Sequence, residues 1–90
     1  MRDLRAISMF CGIIIRMYID DDAIKTPHFR ASYRGYNAAF DLEGNIIDGD
    51  MPAKQQAYIT AWALLHEEEL PANWTLATKK EELFKITPLR

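Results

Sequence analysis

The chain has 90 residues, 49% hydrophobic and 27% charged. That is ordinary globular composition at one-domain length, and it excludes a large cofactor fold or a catalytic domain joined to a recognition domain. Eleven Lys and Arg against thirteen Asp and Glu leave a net charge of −2 at pH 7, so the molecule as a whole offers no field that attracts a polyanion. Residues 1–50 carry six basic and eight acidic side chains and residues 51–90 carry five of each, so neither half is a basic tail. A radius of gyration near 12 Å is expected for about 90 compact residues.

The most apolar N-terminal stretch, Met9 to Ile15, closes at Arg16. A spanning helix needs roughly 20 apolar residues, and a secretory segment needs a longer apolar core with a small-residue cleavage site. A cytoplasmic location without a membrane partner is the expectation. The single Cys11 excludes an internal disulfide and a cysteine zinc site and fits a reducing compartment. With no base beside it in the sequence, Cys11 reads as a small buried hydrophobe.

In chain order, Met9 to Ile19 is rich in β-branched and apolar residues and reads as one strand. The acidic run Asp20-Asp21-Asp22 ends it. His28 to Tyr33 alternates with period two, placing Phe29, Ala31 and Tyr33 on one face and His28, Arg30 and Ser32 on the other. Arg34-Gly35-Tyr36 reads as a turn, Asn37 to Leu42 as a strand, Glu43-Gly44-Asn45 as a second turn, and Ile46 to Gly49 as a last strand. Short connections favour antiparallel neighbours.

At Pro52 the period changes. Tyr58, Trp62, Leu65 and Glu69 recur at 3–4 spacing, so Pro52 to about Glu69 reads as an amphipathic helix with proline in its first turn and Asp50 as its cap. Leu70-Pro71-Ala72-Asn73 is expected to interrupt it, because proline lacks an amide hydrogen. A second short helix then carries Trp74 and Ala77, and Ile86 to Leu89 is an extended tail. The fold class is α+β: one domain over 1–90, with a small antiparallel sheet of three or four strands within about 9–49. Two helices within about 52–80 pack against it, with Trp62 and Trp74 as structural anchors.

Pro27-His28-Phe29-Arg30 is the segment with the most chemical content. On a strand His28 and Arg30 point the same way, about 7 Å apart, and an imidazole beside a guanidinium suits phosphodiester chemistry. Two polar residues at this spacing are also what a solvated sheet face displays. Asp20, Asp21 and Asp22 offer hard oxygen ligands but lack the spacing and the glycine of a calcium loop, so no metal site is expected. His66, inside the helix, reads as structural. Arg16, Arg30, Arg34 and Tyr36 are the residues of a shallow basic and aromatic surface for RNA. The glycines match no phosphate-loop or dinucleotide pattern, so no cofactor is implied. Glu67-Glu68-Glu69 reads as the solvated end of the helix, where acids oppose its dipole.

The order Gly12-Ile13-Ile14-Ile15-Arg16-Met17-Tyr18, Pro27-His28-Phe29-Arg30-Ala31-Ser32-Tyr33, Gly49-Asp50-Met51-Pro52, Trp62 to Leu70, Asn73-Trp74 and Ile86-Thr87-Pro88-Leu89 resembles a small bacterial family, domain of unknown function 4160. The resemblance spans nearly the whole chain. The family carries an Asp-His-x-Pro-Pro-His-Phe-His-Ala segment after its Met-Tyr strand. Here His28 and Phe29 match its second histidine and its phenylalanine, while Arg30 stands at the third histidine and Asp22 at the first. The resemblance implies a small cytoplasmic protein, often encoded beside another small protein and suspected of belonging to a toxin–antitoxin module. It implies no settled activity.

The leading expectation is therefore a small interaction or regulatory protein of toxin–antitoxin type that binds a small protein partner through an exposed sheet edge or the acidic helix surface. A homodimer stays open, since one helical layer leaves a sheet face to be covered. The alternative is a metal-independent ribonuclease with His28 as acid or base, Arg30 holding phosphate and Asp22 as a third member. RNA binding without cleavage is its milder form.

Overall fold

The computed structural model describes residues 5–18 and 24–89. Five strands precede two helices: β1 (Ala6–Phe10), β2 (Ile13–Arg16), β3 (His28–Tyr33), β4 (Tyr36–Asp41), β5 (Ile46–Gly49), α1 (Ala53–Leu65) and α2 (Glu69–Thr78). The strands form one sheet in the order β1-β2-β3-β4-β5, each antiparallel to the next. Both the α+β class and the helices that follow the sheet agree with the sequence reading. The sheet has one strand more than its upper bound, because the Met9–Ile19 run is not one strand.

That run folds back at Cys11-Gly12, where Phe10 pairs with Ile13 and Met9 with Ile14. Both turn residues have positive φ, 52° and 76°, as a two-residue hairpin requires to match the twist of its strands. Cys11 is consequently exposed at a hairpin tip and not buried. Arg34-Gly35 repeats the device, with φ of 45° and 88° and Tyr33 paired to Tyr36. The β4–β5 turn is built around Asp41, whose Oδ1 accepts the amides of Glu43 (3.0 Å) and Asn45 (2.9 Å). Thr60 Oγ1 of α1 donates to the Gly44 carbonyl at 2.7 Å and ties this turn to the helix.

One sheet face supplies the core. Phe10, Ile13, Ile15, Met17, Phe29, Ala31, Ala38 and Phe40 are buried there with Ile59, Trp62, Ala63 and Leu70 of the helices. Phe29 and Phe40, cross-strand partners, stack with centroids 5.6 Å apart. The fully buried Trp62 meets Phe29 edge-on at 5.5 Å and Phe10 at 5.5 Å. The radius of gyration is 11.9 Å.

The helices depart from the sequence reading in three ways. The break falls at His66-Glu67-Glu68, and Pro71 lies in the first turn of α2, where the first four amides have no intrahelical partner and a missing N–H costs nothing. Glu69 therefore opens a helix instead of closing one, and its charge favours the dipole. Pro52, not Asp50, is the N-cap of α1, without a side-chain cap bond. The buried face of α1 is Ile59, Trp62 and Ala63, and Leu65 points outward at 70% exposure. His66 closes α1, with its ring 5.6 Å from Trp62 and Nδ1 bonded to the Glu69 carboxylate at 2.5 Å.

After α2 the chain has no regular structure, yet it docks. Trp62 Nε1 donates to the Thr87 carbonyl (2.9 Å), the Ile86 amide donates to the Ile7 carbonyl of β1 (2.8 Å), and Ile86 is buried. Among the described residues, no helix is long and apolar enough to cross a membrane.

Candidate functional site

The helices cover the sheet face of Phe29, Ala31, Ala38 and Phe40, so the alternate residues of the strands form the opposite face. There Arg16 of β2 and Arg30 of β3 are direct cross-strand partners, a spacing of about 5 Å between Cβ atoms. Arg16 Nη1 donates to Ser32 Oγ at 3.1 Å, and Ser32 pairs with Asn37 of β4. Together with Tyr18 and Ala31 these residues line a shallow depression. The Arg5 guanidinium lies 5.4 Å from the centre of the Tyr18 ring and adds a third cation at its margin. Towards the β1–β2 hairpin the same face turns apolar, where Met9, 63% exposed, stands opposite Ile14.

His28 shares the strand parity of Arg30 but not its exposure. It is fully buried, with Nδ1 donating to the Thr26 carbonyl at 2.8 Å and its ring 5.5 Å from Trp74 of α2. A carbonyl only accepts, so the proton sits on Nδ1. Period-two alternation expected His28 beside Arg30 in solvent. The strand begins under α2, and the Trp74 ring covers what alternation exposes. Asp22, with Asp20 and Asp21, lies outside the described residues. Among the described residues no three His, Cys, Asp or Glu side chains are placed to share a metal ion.

The basic and aromatic set does not converge as a whole. Arg16 and Arg30 come together, while Arg34 sits in the β3–β4 turn with its guanidinium 5.4 Å from the Tyr33 ring centre. Tyr36, 42% exposed, pairs with Tyr33 and so belongs to the opposite, helix-covered side at its uncovered tip. Arg5, Ser32 and Asn37 are site residues that sequence reasoning missed. Arg5 reaches Tyr18 only because the chain reverses at Cys11-Gly12, so that the Met17 amide bonds to the Arg5 carbonyl at 3.1 Å. Gly12 within the apolar run was the available signal.

These features define a small α+β protein with one sheet face packed under the helices and an arginine pair on the other. The chain belongs to the family described as domain of unknown function (DUF4160), whose model matches residues 12–75. No curated protein and no solved structure matches it.

Proposed function

We propose that the chain is a small regulatory protein of toxin–antitoxin type that holds a small protein partner against the sheet face that carries the Arg16–Arg30 pair. The observation that carries this reading is the make-up of that face, in which the Met9–Ile14 pair adjoins the Arg16–Arg30 pair. Met, Arg and Tyr are enriched at protein interfaces, whereas Lys is depleted. An exposed methionine next to an arginine pair suits a partner that presents apolar and acidic side chains. Edge pairing has less to recommend it. The tail occupies part of the β1 edge, and β5 is a four-residue strand with a register shift against β4 and exposed Asp48 and Asp50 near its end, features that blunt strand addition.

Pull-down of the native, untagged complex from cells that carry the protein tests the reading. A small protein is expected to co-purify stoichiometrically and to be lost from Met9→Asp and Arg30→Glu variants whose thermal unfolding is unchanged. Recovery of free protein alone at near-cellular concentration, or equal capture by both variants, refutes it.

One observation favours RNA as a second ligand. Arg16, Arg30 and Tyr18 line one depression and Arg5 lies against the Tyr18 ring, which joins cations to a ring beside which a base can stack. Binding suits this geometry better than cleavage, since His28 is buried and bonded into its own loop. Binding to single-stranded RNA should weaken with salt, and Arg16→Ala and Arg30→Ala should each reduce the log–log slope by about 0.7. A salt-independent signal, or variants with the parental slope, excludes this mode.

A further inference from the structure

The segment after α2 is held as a receptor holds an extended peptide. The fully buried Asn73 clasps Phe84 from both sides: Nδ2 donates to its carbonyl at 2.9 Å and Oδ1 accepts its amide at 3.0 Å. The Ile86 amide donates to the free edge of β1 at Ile7, and the Thr87 carbonyl accepts from Trp62. Lys85 Nζ adds a bond to the Ala6 carbonyl at 2.5 Å. Ile86 is 2% exposed, and Leu83 and Leu89 pack partly buried against the core. Main-chain bonds to an edge strand combined with buried side chains at spaced positions are the means by which sheets recognise added strands.

The connection to this segment is short, exposed and strained. Lys79, Lys80, Glu81 and Glu82 are all exposed. The amides of Lys80 and Glu81 bond back to Ala77 (3.0 Å) and Leu76 (2.9 Å), the two bonds of a Schellman close. The left-handed position of that motif, normally glycine, is filled by Lys80 at φ 57°.

We infer that the groove formed by Ile7, Trp62 and Asn73 is an interaction site for the C-terminal segment of a second copy of this chain, and that residues 83–89 exchange between copies to form a homodimer. The occupant follows from the groove itself, since the sequence seated in it is this chain's own and a second copy supplies every one of the same bonds. Opening the turn at Lys80 releases a left-handed lysine, and the β1 edge stays covered in both forms, so exchange leaves no strand edge bare. The site is separate from the face of the Arg16–Arg30 pair and does not depend on the function proposed for it.

Full-length protein, Lys80→Pro and Lys80→Gly test this by light scattering across micromolar to millimolar concentration. Proline cannot adopt the closed turn and should drive the chain into dimers, whereas glycine relaxes the closed turn and should lower the wild-type association constant on the order of tenfold. Refolded mixtures of ¹⁵N-labelled and ¹³C-labelled chains should show an intermolecular contact between the Ile86 amide proton and Ile7. A folded Lys80→Pro chain that stays monomeric, or a dimer in which that contact is only intramolecular, overturns the inference. If Lys80→Pro fails to fold, equal association by wild type and Lys80→Gly overturns it as well.

Discussion

Gly44 sets the β4–β5 turn against the backbone of α1, and replacing it separates steric approach from backbone strain. A Cβ at Gly44 would lie 2.8 Å from Thr60 Cα, 3.0 Å from Ala63 Cβ and 3.2 Å from the Thr60 carbonyl oxygen, in a backbone with φ +90°. The first and last of these atoms are helix backbone, which has no rotamer to move. The turn must therefore lift away, lengthening the 2.7 Å bond from Thr60 Oγ1 to the Gly44 carbonyl. Gly35 provides the control, with φ +88° and nothing within 4 Å of the added atom. A non-glycine residue in left-handed backbone costs about 1–2 kcal/mol, offset by roughly 0.4–1 kcal/mol from the stiffer unfolded chain. Gly35→Ala should thus destabilise by about 0.5–1 kcal/mol. Overpacking adds about 1–3 kcal/mol and the weakened hydrogen bond about 1 kcal/mol, which brings Gly44→Ala to about 2.5–5 kcal/mol. Urea unfolding followed by tryptophan fluorescence measures both. Equal losses would mean that the close approach of turn and helix carries no energy, and the reasoning fails.

Four further substitutions probe features that distinguish this fold. Trp62→Phe should cost about 2–3 kcal/mol, from lost buried area and an unpaired Thr87 carbonyl, and amide exchange should quicken at Ile86 as well as in α1. Pro71→Ala should change stability by less than about 0.5 kcal/mol, because the added amide lies in the first turn of α2; a gain above about 2 kcal/mol would identify Pro71 as a helix breaker after all. Ser8 Oγ is buried with no hydrogen-bond partner among the described residues, so Ser8→Ala should be neutral or stabilising by up to about 1 kcal/mol in the same unfolding assay. Cys11→Asn places a residue suited to left-handed backbone in the β1–β2 turn and should raise the melting temperature by a few degrees, about 0.5–1 kcal/mol. In the parent protein, Cys11 should react with a thiol reagent without denaturant.

Periodicity disclosed most of what faces the core. Phe29 and Ala31 alternate with Arg30 and Ser32 as their sequence order requires, and Gly35 and Gly44 mark real turns. Two elements were illegible for definite reasons. Cysteine is uncommon in a two-residue hairpin, so a run apolar on both sides of Gly12 hid the reversal at Cys11-Gly12, and with it the second strand and the role of Arg5. Pro71 carries the same chemistry at a helix start as at a helix stop, and only the neighbouring turn at His66 tells the two apart. His28 shows a third limit. Alternation assigns a side chain to a face, but whether another element covers that face depends on where α2 places Trp74. The juxtaposition of Arg16 and Arg30 was legible as soon as the strands were known to be neighbours, whereas Tyr36, read as a turn residue, begins β4 opposite Tyr33.

The bond between Ile7 and Ile86 also sets an order of events at synthesis. Each hairpin of the sheet joins neighbours in sequence and can close as soon as its second strand appears, but the partner of the β1 edge lies 79 residues downstream. At roughly 5–20 residues per second, that edge waits about 4–16 s after Ile7 is made before its covering segment exists. During that interval the nascent chain carries an open strand edge beside an incomplete core, and β1 is exposed to wrong pairing until Ile86 is made.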